Sequence, residues 1–206
     1  MKYGVITIDL HRGHLDPTVA TLPLSPAQSK RVVEANVQFL LHCREMNIPV
    51  IHVVTAYRNK EEIINNRYWS DIQTEPGASR KNILHHNLFG SPGLELMSGI
   101  FQEGDHIVST KKRYNCFLHT DLQFLLDSLG IDTLLITGVN TNSCVLATST
   151  YASCLDYRVV VIENCVDSMD GPDLHEAAVK VIRSAYGKVL ESEEVIKEIR
   201  GGFVEH

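Results

Sequence analysis

A chain of 206 residues, 44% hydrophobic and 21% charged, has the length of one domain with a sizeable core and the balance of a globular protein. Its net charge of -6 argues against sequence-independent binding to nucleic acid, since the strongest basic cluster, Lys111-Lys112-Arg113, is too short to meet a run of phosphates. The longest apolar stretches, such as Ile48 to Val54, are too short to cross a bilayer, and Met1-Lys2-Tyr3 leads into a strand pattern rather than a secretory leader. Five scattered cysteines (Cys43, Cys116, Cys144, Cys154, Cys165), with no CxxC pair and no zinc-finger spacing, predict a reducing, cytoplasmic setting where thiols serve packing or chemistry.

In chain order, Val5-Ile6-Thr7-Ile8 reads as a first strand, ended by Asp9. Ser25-Pro26 is a cap followed by a first-turn proline. Val32, Val33, Val37, Leu40 and Leu41 then recur at helical spacing over four to five turns. Ile48 to Val54 is the second strand. Residues 55 to 105 are irregular, and a segment that long without clear elements is usually functional. Ile107-Val108-Ser109 is a third strand, and Thr120 caps a helix through Leu129 that Gly130 stops. Thr133 to Thr137 is an apolar, central fourth strand, and a helix begins near Ser143 and runs to about Leu155. Val159 to Ile162, Leu174 to Ala185, Lys188 to Leu190 and Glu193 to Ile199 complete a strand, helix, strand and helix. This alternation predicts a single α/β domain over 1–206, a doubly wound, Rossmann-like sheet of six parallel strands covered by helices on both faces.

In such sheets the ligand crevice lies beyond the carboxyl ends of the strands. Asp9 ends the first strand, Lys111 follows the third, and Cys144 opens the helix after the fourth. A thiol at a helix N-terminus meets free amides and a partial positive charge that favour thiolate. Lys111 adds a cation, and a desolvated Asp9 can accept and return a proton. Taken singly, each has a plainer use: a small core cysteine, a turn aspartate, a solvated lysine. The same placement on three strands favours chemistry, provided the first strand is central.

The stretch from Gly138 through Asn140 to Cys144 and Val145 resembles the nucleophile loop of the isochorismatase-like cysteine hydrolases. Lys111 to Phe117 followed by Thr120-Asp121-Leu122, and Val5 to Asp9, resemble that family's lysine segment and opening strand, so the similarity spans nearly the whole chain. The resemblance implies an Asp9–Lys111–Cys144 triad, a cis peptide before Asn140, an oxyanion hole from the Asn140 and Cys144 amides, and a homodimer or homotetramer. The apolar C-terminal helix offers an interface. Presence of the cysteine points to the amidase-type branch, which cleaves C–N bonds of small amide, carbamoyl or ureido compounds through a thioester. The alternatives are vinyl ether hydrolysis with Asp9 as general acid, supported by His119 before Thr120-Asp121-Leu122, and a non-catalytic binding module.

Arg113 and Tyr114 lie close enough to Lys111 to line the pocket, Arg113 as a partner for a substrate carboxylate. Phe117, His119 and Trp69 are further candidates for substrate contact; Trp69 serves equally as a local packing anchor. Neither cofactor nor metal is expected. No Asp-x-His pattern follows the second strand, His11 and His14 lack an obvious third ligand, and His85-His86 reads as a solvated pair.

Overall fold

The computed structural model describes residues 1–202. Its sheet has six parallel strands: β1 (Tyr3–Ile8), β2 (Val50–Thr55), β3 (His106–Lys111), β4 (Thr133–Val139), β5 (Arg158–Asp167) and β6 (Lys188–Leu190). Their spatial order is β3-β2-β1-β4-β5-β6, so β1 and β4 lie side by side at the centre, where the winding reverses. Residues 203–206 of the expected span lie outside the described residues.

The central strands are covered on both faces, which is why β2 and β4 read as unbroken apolar runs. Alternate residues sort to opposite sides. Ile6, Ile8, Leu134 and Ile136 pack with the helices Leu122–Ser128, Leu146–Cys154 and Pro172–Ala185; Val5 and Leu135 pack with Pro26–Glu45 and Ser192–Gly202. Each such fully buried side chain contributes about 1.5–3 kcal/mol. Ser25 caps its helix as expected, in a reciprocal box with Gln28, and Gly130 at φ 64 takes the left-handed conformation that ends Leu122–Ser128.

Three expectations are corrected. The helix after β4 does not start at Ser143: a π-helical turn, Thr141–Val145, precedes the α-helix Leu146–Cys154 and carries Cys144 in its middle. The C-terminal helix is not free for an interface, because Val195, Ile196 and Ile199 are buried in the chain's own core. Residues 55 to 105 contain the short helices Glu61–Ile64 and Arg67–Ile72 and a core of their own, with Tyr57, Ile63, Trp69, Ile72 and Ile83 packed around Leu22. These helices are too short for periodicity to show in sequence. Among the described residues no helix is long and apolar enough to cross a membrane.

At the β1–β4 contact the backbones approach more closely than a side chain allows. Gly138 has φ 105, and a Cβ there would lie 2.0 Å from the Ile8 carbonyl oxygen. Gly138→Ala is therefore expected to destabilise the protein by about 3 kcal/mol or more, read as a lowered midpoint in thermal or urea unfolding. An unchanged midpoint would mean that β1 and β4 are not held at this separation.

Candidate active site

Asp9, directly after β1, is fully buried and adopts φ 54, a left-handed conformation that aspartate tolerates better than most residues. One carboxylate oxygen, Oδ1, accepts the Thr55 amide at 2.8 Å and lies 3.4 Å from His11 Nε2; the other accepts Lys111 Nζ at 2.5 Å. Lys111, the last residue of β3, also donates to Thr55 Oγ1 at 2.5 Å and reaches Cys144 Sγ at 3.3 Å. Thus β1, β2, β3 and the turn after β4 deliver four side chains to one rim of the sheet. Thr55 was missed in sequence although it ends a buried strand, the same signal that marked Asp9 and Lys111.

Burial opposes charge at all three titratable groups. For Asp9 the Lys111 ammonium and the His11 hydrogen bond outweigh it and hold the carboxyl well below its ordinary range. Burial also works against the Lys111 cation, but Asp9 and Cys144 raise its pKa well above normal. For Cys144 burial prevails over Lys111, and the thiol is pushed up to about 11. The free site is therefore a carboxylate–ammonium pair beside a neutral thiol. The helix end predicts a standing thiolate; burial of Cys144 inside the π turn works against it and raises the thiol.

That turn is tied down on several sides. The Asn140 carbonyl accepts from the Ser143 and Val145 amides, passing over the amide of Cys144 between them. Asn140 Oδ1 accepts from Met169 N at 2.9 Å, and the Val139–Asn140 peptide is cis. Asn142 donates to Asp170, which also receives both terminal nitrogens of Arg80 at 2.9 and 2.7 Å. Arg80, from the irregular segment, had no sequence signal, since no periodicity marks its place.

The triad lines a cleft enclosing about 360 Å³ with its open mouth. Trp69, Arg113 and Tyr114 line it as expected, joined by Arg80, Ser143 and Asn140. Trp69 is a packing anchor as well as a lining residue: it is buried in the local core and donates Nε1–H to the Tyr114 hydroxyl at 2.9 Å. Arg113 stacks 5.1 Å above the Trp69 ring and donates to the carbonyls of Glu62 and Lys112, with no carboxylate partner among the described residues. Phe117 and His119 do not line the cleft. Phe117 is buried in the main core against Tyr151 and Tyr157; His119 is exposed at φ 58 on a separate outer groove with Arg58 and Leu118.

The histidine expectations also change. His85 is exposed, but His86 is 2% accessible rather than solvated, and His11 and His14 are buried with it. His86 supplies the third imidazole that the sequence appeared to lack, and His14 and His86 form one wall of the cleft. Burial holds His14 neutral, lowering its pKa to about 3, and keeps His86 well below its ordinary value.

Two measurements test this geometry. Lys111→Met leaves the Asp9 carboxylate buried without its cation and is expected to destabilise by ~3–5 kcal/mol, with much of the loss recovered in the Asp9→Asn/Lys111→Met double variant. Absence of recovery would mean that the two charges are not coupled. In the free protein, iodoacetamide should label the exposed Cys154 before Cys144. Labelling of Cys144 should climb roughly tenfold per pH unit as its thiolate fraction grows toward the thiol pKa of about 11.

Comparison with known proteins identifies the family and the fold. The isochorismatase domain model matches residues 3–194. Maleamate amidohydrolase of Pseudomonas putida is 24% identical over 97% of this chain and 87% of its own length. Among solved structures, a cysteine hydrolase from Pseudomonas syringae pv. phaseolicola superposes with a TM-score of 0.84 at 22% identity, covering 97% of this chain and 93% of that one. N-carbamoylsarcosine amidase from Thermoplasma acidophilum gives 0.72 at 23% identity over 93% and 97%. With its doubly wound sheet and a family match over nearly its whole length, the chain belongs to the isochorismatase domain family.

Proposed function

We propose that the protein is a cysteine amidohydrolase that cleaves the C–N bond of a small amide, carbamoyl or ureido compound through a Cys144 thioester. The observation that carries the reading is the Lys111 ammonium, 2.5 Å from Asp9 and 3.3 Å from the Cys144 sulfur. As the substrate carbonyl is attacked, the thiol proton passes to Asp9. Lys111 loses its carboxylate partner and gains sulfur anion character, so the buried cation exchanges counter-ions rather than losing one. The amides of Asn140 and Cys144 receive the developing oxyanion. Collapse expels ammonia or an amine, which takes the proton from Asp9. Asp9 then removes a proton from water, whose oxygen attacks the thioester carbon and releases the acid and the thiol.

Arg113, held by two carbonyls and by Trp69 but lacking a carboxylate, fits a substrate that brings its own. Similarity to maleamate amidohydrolase and N-carbamoylsarcosine amidase, whose names describe small amide or carbamoyl acids, supports the same class. The vinyl ether alternative loses its local support, because His119 lies outside the cleft. A homo-oligomer in a reducing cytoplasm belongs to this reading, supported by the family resemblance and five unpaired cysteines.

Maleamate, N-carbamoylsarcosine and related short amido and ureido acids should be screened for ammonia release. With the substrate found, Cys144→Ala is expected to lower kcat by at least ~10³-fold with unchanged thermal unfolding, and rapid quench with mass spectrometry should detect an acyl group on Cys144 in the wild type. Retained turnover in Cys144→Ala would remove the covalent mechanism. Arg113→Gln should raise KM by roughly tenfold or more for acids, with little effect on uncharged amides.

A further inference from the structure

The triad accounts for part of the cleft lining and leaves His14 and His86, which form another part of it, without a role; His11 packs against both and faces Asp9 at 3.4 Å. These three buried imidazoles come from two distant segments and present ligand nitrogens that all lie within 4.8 Å of one another. Their ring centroids are 4.6–5.6 Å apart.

Two rings are oriented by oxygen partners on their far side. His14 Nδ1 lies 2.7 Å from the Leu22 carbonyl, which can only accept, so the ring carries its proton there and Nε2 is a bare lone pair. His86 Nδ1 lies 2.8 Å from Thr21 Oγ1. Among the described residues neither Nε2 has a hydrogen-bond partner, although both side chains are buried at the cleft wall. An Nδ1–H held by oxygen with Nε2 left bare is how a ligating histidine is fixed in tautomer and direction. His11 differs: its Nε2 faces both Asp9 Oδ1 at 3.4 Å and Asn87 Nδ2 at 2.8 Å, with Nδ1 3.3 Å from the same amide. Ligation through Nε2 gives up the Asp9 contact as well as an amide one, and ligation through Nδ1 gives up only the longer amide contact.

We propose that His11, His14 and His86 form a site for one divalent cation of the zinc, cobalt or nickel class, with its open position facing the cleft. Three imidazoles with a vacant fourth position suit such borderline cations, whereas calcium and magnesium require oxygen ligands. The Lys111 charge does not exclude a dication, because Asp9 already neutralises it, and Asp9 Oδ1 lies 3.4 Å from His11 Nε2. The exposed His85 lies outside the cluster.

The test titrates cobalt(II) into the full-length chain carrying Cys144→Ala, so that no active-site thiol takes part, and reads visible absorption and heat. One cobalt per chain is expected, with a rise in unfolding temperature on adding zinc. His86→Gln or His14→Gln should weaken binding by more than about 100-fold and abolish the stabilisation. Thr21→Val, which releases the His86 ring, should weaken it roughly 10–100-fold, and His85→Gln should leave it unchanged. Absence of stoichiometric cobalt binding to the folded Cys144→Ala chain overturns the proposal. So does binding that survives both His14→Gln and His86→Gln. The Cys144→Ala titration needs neither a histidine variant that folds nor a known substrate, so its outcome is independent of the amidohydrolase reading.

Discussion

Everything at the site depends on one buried ammonium. Adjacent parallel strands are ~4.8 Å apart, so β3 and β1, with β2 between them, are separated by about 10 Å. The Lys111 stem covers most of that gap, passing Thr55 on β2, and the side chains of Asp9 after β1 and Cys144 after β4 reach in to meet its ammonium. A shorter cation on β3 would stop above β2. Burying a charge is costly unless it is paired and hydrogen-bonded, and here the Asp9 carboxylate and the Thr55 hydroxyl satisfy both conditions. The pair is neutral overall, which lets it lie beneath the cleft while a neutral thiol waits beside it.

The backbone is bent to make this meeting possible. Asp9 leaves β1 in a left-handed conformation, and Gly138 lets β4 press against Ile8 at the sheet's switch point. Such local strain persists where the surrounding packing over-determines it. The fully buried strands β2 and β4 and the helices on both faces supply that packing. Stability of the core and precision of the site are therefore linked through the same few residues.

The electrostatics also locate the chemistry in time. Desolvation favours the neutral thiol in the free site, so under the proposed mechanism proton transfer accompanies attack on the substrate. The segment between β2 and β3 shapes that encounter. It carries Trp69, Arg80 and His86 to the cleft, and Arg80 is latched through Asp170 and Asn142 to the nucleophile turn. The cleft lining supplied by this segment is thus joined mechanically to the turn that carries Cys144.

The sequence by itself determined the sheet, its helices and the identity of Asp9, Lys111 and Cys144. Period-two and period-3.6 patterns, caps and polar residues after apolar strands are local signals, each readable within a few positions. The tertiary structure alone decided what the intervening loops contribute. Phe117 turned inward to the core and His119 outward to solvent although both flank the lysine segment, because a one-residue change of direction in a loop leaves no periodic trace. His86 joined His11 and His14 from a distant part of the chain, and Arg80 reached Asp170 from further still, through contacts that only the folded chain creates. The protonation of Cys144 was likewise undetermined by its place after β4. Helix-end stabilisation was visible in sequence, whereas desolvation, which opposes it, depends on how much of the chain packs around the sulfur.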